Sequence, residues 1–115
     1  MGAKEQPVWA VTNVKLAAYK TYPPKLIIGV QGTVGTPGWT NAKLVPFIYI
    51  QPPPDGIYDF NFVATPPTKA VAQVVTDIEA KHVLKTIPKD LKGVRIHSQT
   101  NSQVAYLNTP GNPRI

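Results

Sequence analysis

The fold class this sequence predicts is all-β, with two antiparallel sheets stacked as a sandwich, and three observations predict it. Thirteen prolines and eight glycines fall at near-regular intervals. Between them run short segments in which apolar and polar residues alternate with the two-residue period of a strand. No cysteine is present, so neither a disulfide framework nor a thiolate metal site shapes the fold. The 115 residues suffice for one domain that folds without staples. A single domain over 1–115 is therefore expected, with a short flexible N-terminus at 1–6 and a C-terminal tail at 108–115 too poor in apolar residues to pack.

The first strand is expected over residues 8–20. Val8, Ala10, Thr12, Val14, Leu16 and Ala18 share one parity, while Asn13 and Lys15 mark the other as the wetter face. Tyr22, Pro23 and Pro24 end it, because proline offers no donor to a ladder. Residues 25–35 alternate more cleanly, with Leu26, Ile28, Val30 and Val34 on one face. Gly32 interrupts that inward row, which predicts a bulge or the close approach of another backbone or bulky side chain. Residues 36–41 form the next connection, with Pro37 and Gly38 suited to the centre of a type II turn.

Residues 43–50 are the most apolar stretch. Leu44, Val45, Phe47, Ile48, Tyr49 and Ile50 predict a strand that is greasy on both faces, either central or half-covered by a partner molecule. Pro46 marks an unpaired edge. The run Pro52, Pro53, Pro54, Asp55, Gly56 is a turn with a mechanism, combining fixed φ, an aspartate cap and a residue free to take positive φ. In 57–65, Tyr58, Phe60, Phe62 and Ala64 face the core, and Asp59 and Asn61 face away. Ile28, Ile48 and Phe60 are expected to meet in the interior.

Residues 69–84 fit two periods. A helix capped by Thr68 would gather Val71, Val74, Val75 and Ile78, whereas a strand gathers Ala72, Val74, Thr76, Ile78 and Ala80. Valine and threonine enrichment, with β context on both sides, favours a strand over 71–78. A loop follows at 86–92, and the runs 94–99 and 104–107 make a hairpin with Asn101 in its turn. About seven strands so spaced resemble, in architecture alone, an immunoglobulin-like or fibronectin-like sandwich, with a small closed barrel as the alternative.

Twelve Lys and Arg against six Asp and Glu give a net charge of +6, which favours acidic partners. The one dense basic stretch, Lys81, Lys85, Lys89, Lys92 and Arg95, is the candidate for binding a polyanion or nucleic acid. Its plainer reading is a solvated edge that resists aggregation. No window reaches the roughly 18 apolar residues of a membrane span, and no signal peptide opens the chain. The compartment stays open: cytoplasmic, or exported with a leader removed.

Candidate chemistry is thin. His82 and His97 are the only histidines, and Asp77, Glu79 and one of them match no metal-ligand spacing. Ser98 and Ser102 lack a nucleophile elbow. Asp55 belongs to a turn and Asp59 to the strand after it, so a joint catalytic role is not expected. The glycines at 29–35 lack the lysine and helix of a phosphate loop. Trp9, Lys15 and Tyr19 come nearest to the aromatic and basic interleaving of a single-strand binder, but core packing accounts better for aromatics in so small a domain. No cofactor, metal or small-molecule ligand is inferred, and nucleic acid is disfavoured. What remains is a non-enzymatic protein-interaction or structural module. Trp39, Tyr49 and Tyr58 are its candidate contacts, and a homodimer through 44–50 is one form of it. Trp39 and Tyr58 serve equally as plugs at the ends of the sandwich.

Overall fold

The computed structural model describes residues 4–19, 24–69 and 71–107, and over these it is all-β with no helix. Eight strands form: β1 (Gln6–Pro7), β2 (Ala10–Tyr19), β3 (Lys25–Val34), β4 (Thr40–Pro46), β5 (Ile57–Thr65), β6 (Thr76–Leu84), β7 (Gly93–His97) and β8 (Ser102–Tyr106). They make two sheets. The first is antiparallel in the order β2-β3-β6. In the second, Val63 of β5 pairs with both Pro7 and Lys43, so β1 and β4 lie on opposite edges of β5. Beside β1, along the same edge, runs β7, and β8 follows beyond it.

The second sheet is mixed, which corrects the expectation of antiparallel pairing throughout. Ile57 to Asn61 run parallel to Gly93 to His97. Parallel neighbours need a long crossover, and here the chain supplies it by leaving β5, laying β6 into the other sheet and returning. The sheets also meet at their rims, where β2 approaches β8 and β4 approaches β6.

Between the sheets lies one core. β3 supplies Leu26, Ile28, Val30 and Val34, β5 supplies Phe60, Phe62 and Ala64, and β7 supplies Val94 and Ile96. These are the inward rows that alternation predicts. Gly32 sits in the β3 row because nothing larger fits. A Cβ there would overlap the Ala10 carbonyl oxygen and stand 2.9 Å from Phe62 Cε2.

Several boundaries differ from the sequence expectation. β2 does not keep one parity, because its register with β3 slips between Val11 and Asn13. That bulge at Thr12 buries Val11 as well as turning Val14 and Leu16 inward. β6 starts at Thr76 rather than near 71, since Thr76 pairs with Val34, the last residue of β3, and residues 71–75 run past the end of their would-be partner. β4 stops at Pro46, so the expected strand over 43–50 is cut short. Ile28 and Phe60 are both buried in the core, but Ile48 is 98% exposed and joins neither. The break at Tyr22 and Pro23 and the tail 108–115 lie outside the described residues.

The turns follow their residues. Gly56 has φ +73° and Gly38 φ +92°, the region that L side chains avoid. Asp55 Oδ1 accepts the Ile57 amide at 3.0 Å. Asn101 does more than turn the β7–β8 hairpin. Its Oδ1 accepts the Val11 amide and its Nδ2 donates to the Val11 carbonyl, both at 2.9 Å, so one side chain stands in for a strand at the edge of β2.

Candidate functional site

The most connected polar group outside the core is Asp59, on the outer face of the mixed sheet. Strand register builds its surroundings. Asp59 pairs with Arg95, and Asn61 pairs with His97 on one side and Val45 on the other. Residues directly opposite share a face, so Arg95 and His97 flank the carboxylate from β7. Across β4 the chain continues past Pro46, and the Phe47 amide donates to the Asp59 carbonyl at 3.0 Å.

Three side chains converge on the carboxylate. Tyr49 Oη donates to Oδ2 at 2.8 Å and accepts the Asp59 amide at 2.9 Å. Arg95 Nη1 donates to Oδ1 at 3.1 Å, while Arg95 Nη2 stands 3.8 Å from Asp55 Oδ2. His97 Nε2 lies 2.7 Å from Oδ1; facing an ionised carboxylate, which only accepts, this nitrogen carries the proton. Burial by itself pushes the Asp59 carboxyl up. The hydrogen bonds from His97, Tyr49 and Arg95, with the charge of Arg95, outweigh it and leave the carboxyl below its ordinary range. Asp59 is therefore anionic at neutral pH.

Aromatic rings close over this cluster. Phe47 stacks on the His97 ring with centroids 5.4 Å apart, and Tyr49 meets Tyr58 edge-on at 5.5 Å. Tyr58 Oη in turn donates to Asp90 at 2.8 Å. The alternate residues of the segment have nowhere to pack. Ile48 is 98% exposed and Ile50 is 101% exposed, the two most exposed large apolar side chains among the described residues. The loop is thus pinned by Phe47 and Tyr49 and presents two isoleucines to solvent. Val45 and Phe47 extend the exposed apolar area along the same edge.

The predicted contact residues divide. Tyr49 sits in the cluster as an anchor of the loop, and Tyr58 ties the sheet to the loop that carries Asp90. Trp39 packs against the core and donates from Nε1 to Thr36 Oγ1 at 3.0 Å, the arrangement of an end plug. The basic residues do not gather on one face. Lys81 pairs with Gly29 on the antiparallel sheet, whereas Arg95 is held by Asp59 and Asp55 on the mixed one. The alkyl stem of Lys92 lies over Gly56, and Lys85 and Lys89 are exposed in the loop between β6 and β7. Trp9 precedes β2 and is half exposed, and across the Thr12 bulge it is Ala10 that lines up with Asn13 and Lys15.

Neither serine near His97 is bonded to its ring among the described residues. Ser102 is its cross-strand partner, but among the described residues no hydrogen bond joins them, and the Ser98 hydroxyl donates to Asn101. Among the described residues no group of three His, Cys, Asp or Glu side chains stands close enough to hold a metal ion, and no helix is long and apolar enough to cross a membrane. Sequence reasoning missed the convergence of Asp59, Arg95 and His97, whose only trace in the chain is polar residues on the outward parity of two strands 36 and 38 residues apart. Comparison of the chain with protein families, curated proteins and solved structures finds no match.

Proposed function

We propose that this chain is a non-enzymatic interaction module that docks a partner protein on the loop at 47–50. The exposure of Ile48 and Ile50 on an anchored loop carries the reading. Large aliphatic side chains left in water forfeit the transfer free energy that burial provides, about 1.5–3 kcal/mol each. A loop held by three hydrogen bonds and three ring contacts at Phe47 and Tyr49 presents them without the entropic cost of ordering a mobile segment. The scaffold belongs to the same proposal. An immunoglobulin-like or fibronectin-like sandwich is supported by two facing sheets and by an N-terminal segment that passes from one to the other, and such a scaffold leaves its connecting loops free for recognition.

The test is the double variant Ile48→Glu/Ile50→Glu. Neither side chain belongs to the core, so its urea midpoint should match that of the parent. Sedimentation over a wide concentration range and retention of host proteins on immobilised domain should both lose what the parent shows. A parent that neither self-associates nor retains a protein, or a variant that retains the same set, refutes the assignment.

A further inference from the structure

We propose that the outer face of the antiparallel sheet binds a carboxylated sugar, in an open hollow whose floor is Gly29. This site is separate from the 47–50 loop and independent of it. In the middle of β3, Gly29 pairs with Lys15 on one side and Lys81 on the other. The next row on the same face is Asn13, Gln31 and Glu79. These residues line an open hollow of about 500 Å³.

Gly29 has no folding reason to be glycine. Its φ is not positive, and a Cβ built there would meet nothing nearer than the Lys15 carbonyl oxygen at 4.0 Å. Glycine inside a strand weakens it, through backbone entropy and the absence of a side chain to pack. Gly32, three residues on, is there because Ala10 and Phe62 leave no room; Gly29 faces open space. The absence of a side chain is what keeps the hollow open between the two lysines.

The lining selects the ligand. Two ammonium groups on either side of a bare backbone suit a single anionic group, which Lys binds as a point charge. Among the described residues, Lys15, Lys81, Glu79, Asn13 and Gln31 form no ion pair or side-chain hydrogen bond with the protein. Their donors and acceptors remain available to hydroxyl groups. Ile27 and Val83 pair in the row beyond Gly29, in the direction away from Glu79, and offer an apolar patch for the face of a ring. A hexuronate brings this combination: one carboxylate, several hydroxyls and an apolar face. A phosphodiester strand fits worse. No aromatic ring lines the hollow to stack a base.

The experiment titrates the full chain with oligogalacturonate, with maltohexaose and poly(U) as comparators, by calorimetry at two salt concentrations. The parent should bind oligogalacturonate, more weakly at higher salt, and neither comparator. Gly29→Val fills the hollow in a position with room for it. It should weaken binding at least tenfold while leaving the melting temperature unchanged or higher, because valine suits a strand better than glycine. Lys15→Gln/Lys81→Gln should weaken binding by a similar factor. The proposal is overturned if oligogalacturonate does not bind, if Gly29→Val binds as the parent does, or if that variant melts several degrees lower. Equal binding of poly(U) with the same response to these variants overturns it in favour of a general polyanion surface.

Discussion

Removing the Asp59 carboxylate is the sharpest test of how the 47–50 loop is held. Asp59→Ala deprives Tyr49, Arg95 and His97 of their common acceptor. A hydrogen bond to a charged group contributes about 1.5–3 kcal/mol, so three of them set an upper figure near 5–9 kcal/mol. The side chains of Arg95 and His97 are 32% and 33% exposed, and water replaces much of what they lose. The Tyr49 hydroxyl is bonded to both the carboxylate and the amide of Asp59, so its bond is lost more nearly in full. A net destabilisation of about 2–3 kcal/mol follows. With a urea dependence of about 1–2 kcal/mol per molar for a domain of this size, the midpoint should fall by roughly 1–3 M. Tyr49→Phe alone should lose about 1–1.5 kcal/mol, and the double variant should fall short of the sum by about 1 kcal/mol, because the two changes remove one shared bond. Hydrogen exchange at the Phe47 amide, bonded to the Asp59 carbonyl, should accelerate in both. The sign of the pH dependence is also fixed. A carboxyl whose folded value is lowered contributes its stabilisation in full above the ordinary 3.8 and loses it as pH falls below that through the depressed value. The gap between parent and Asp59→Asn should therefore close in strong acid. An Asp59→Ala loss under about 0.5 kcal/mol, or additive single variants, would refute the anchoring of the 47–50 loop by Asp59.

Other perturbations probe the scaffold. Gly32→Ala drives a methyl into the Ala10 carbonyl and the Phe62 ring and should destabilise by about 3 kcal/mol in urea unfolding, at the upper end for overpacking. Asn101→Ala removes both bonds to the Val11 backbone and should lose about 2 kcal/mol, with faster exchange at the Val11 amide. His82 packs its ring on Phe60 at 5.5 Å, and burial lowers its pKa from the ordinary 6.5. Its neutral form is the one the fold accommodates, so its contribution is intact above pH 6.5 and declines as pH falls below that. In melting curves between pH 7.5 and 5, His82→Gln should show less acid loss than the parent, and identical slopes would count against it.

Alternation made β3 and β5 legible almost to the residue, since both are central strands whose inward rows, Leu26 to Val34 and Phe60 to Ala64, meet the core along their length. It failed where a strand depends on its partner's extent. Residues 71–75 are as β-prone as those after Thr76, but β3 ends before it reaches them. Residues 47–50 keep the apolar content of a strand, but Pro46 turns the chain off the edge and Tyr49 reaches Asp59 instead. The Asp59 cluster was illegible for a different reason. It exists only because β5 and β7 lie parallel across a crossover, a pairing that no local pattern announces.

The path of the N-terminal segment bears on how the protein is made. Val8 donates to Phe62, Trp9 donates to Thr33, and the carbonyls of Val8 and Trp9 accept from Gln99 and Thr100. Residues 8 and 9 thus close against partners about 90 positions later in the chain. While the ribosome is still adding β6 and β7, Val8 and Val11 have no place to go, and the half-built sheets stay open to chaperones or to one another. Only once residues 99 and 100 have left the exit tunnel can their amides donate to the carbonyls of Val8 and Trp9.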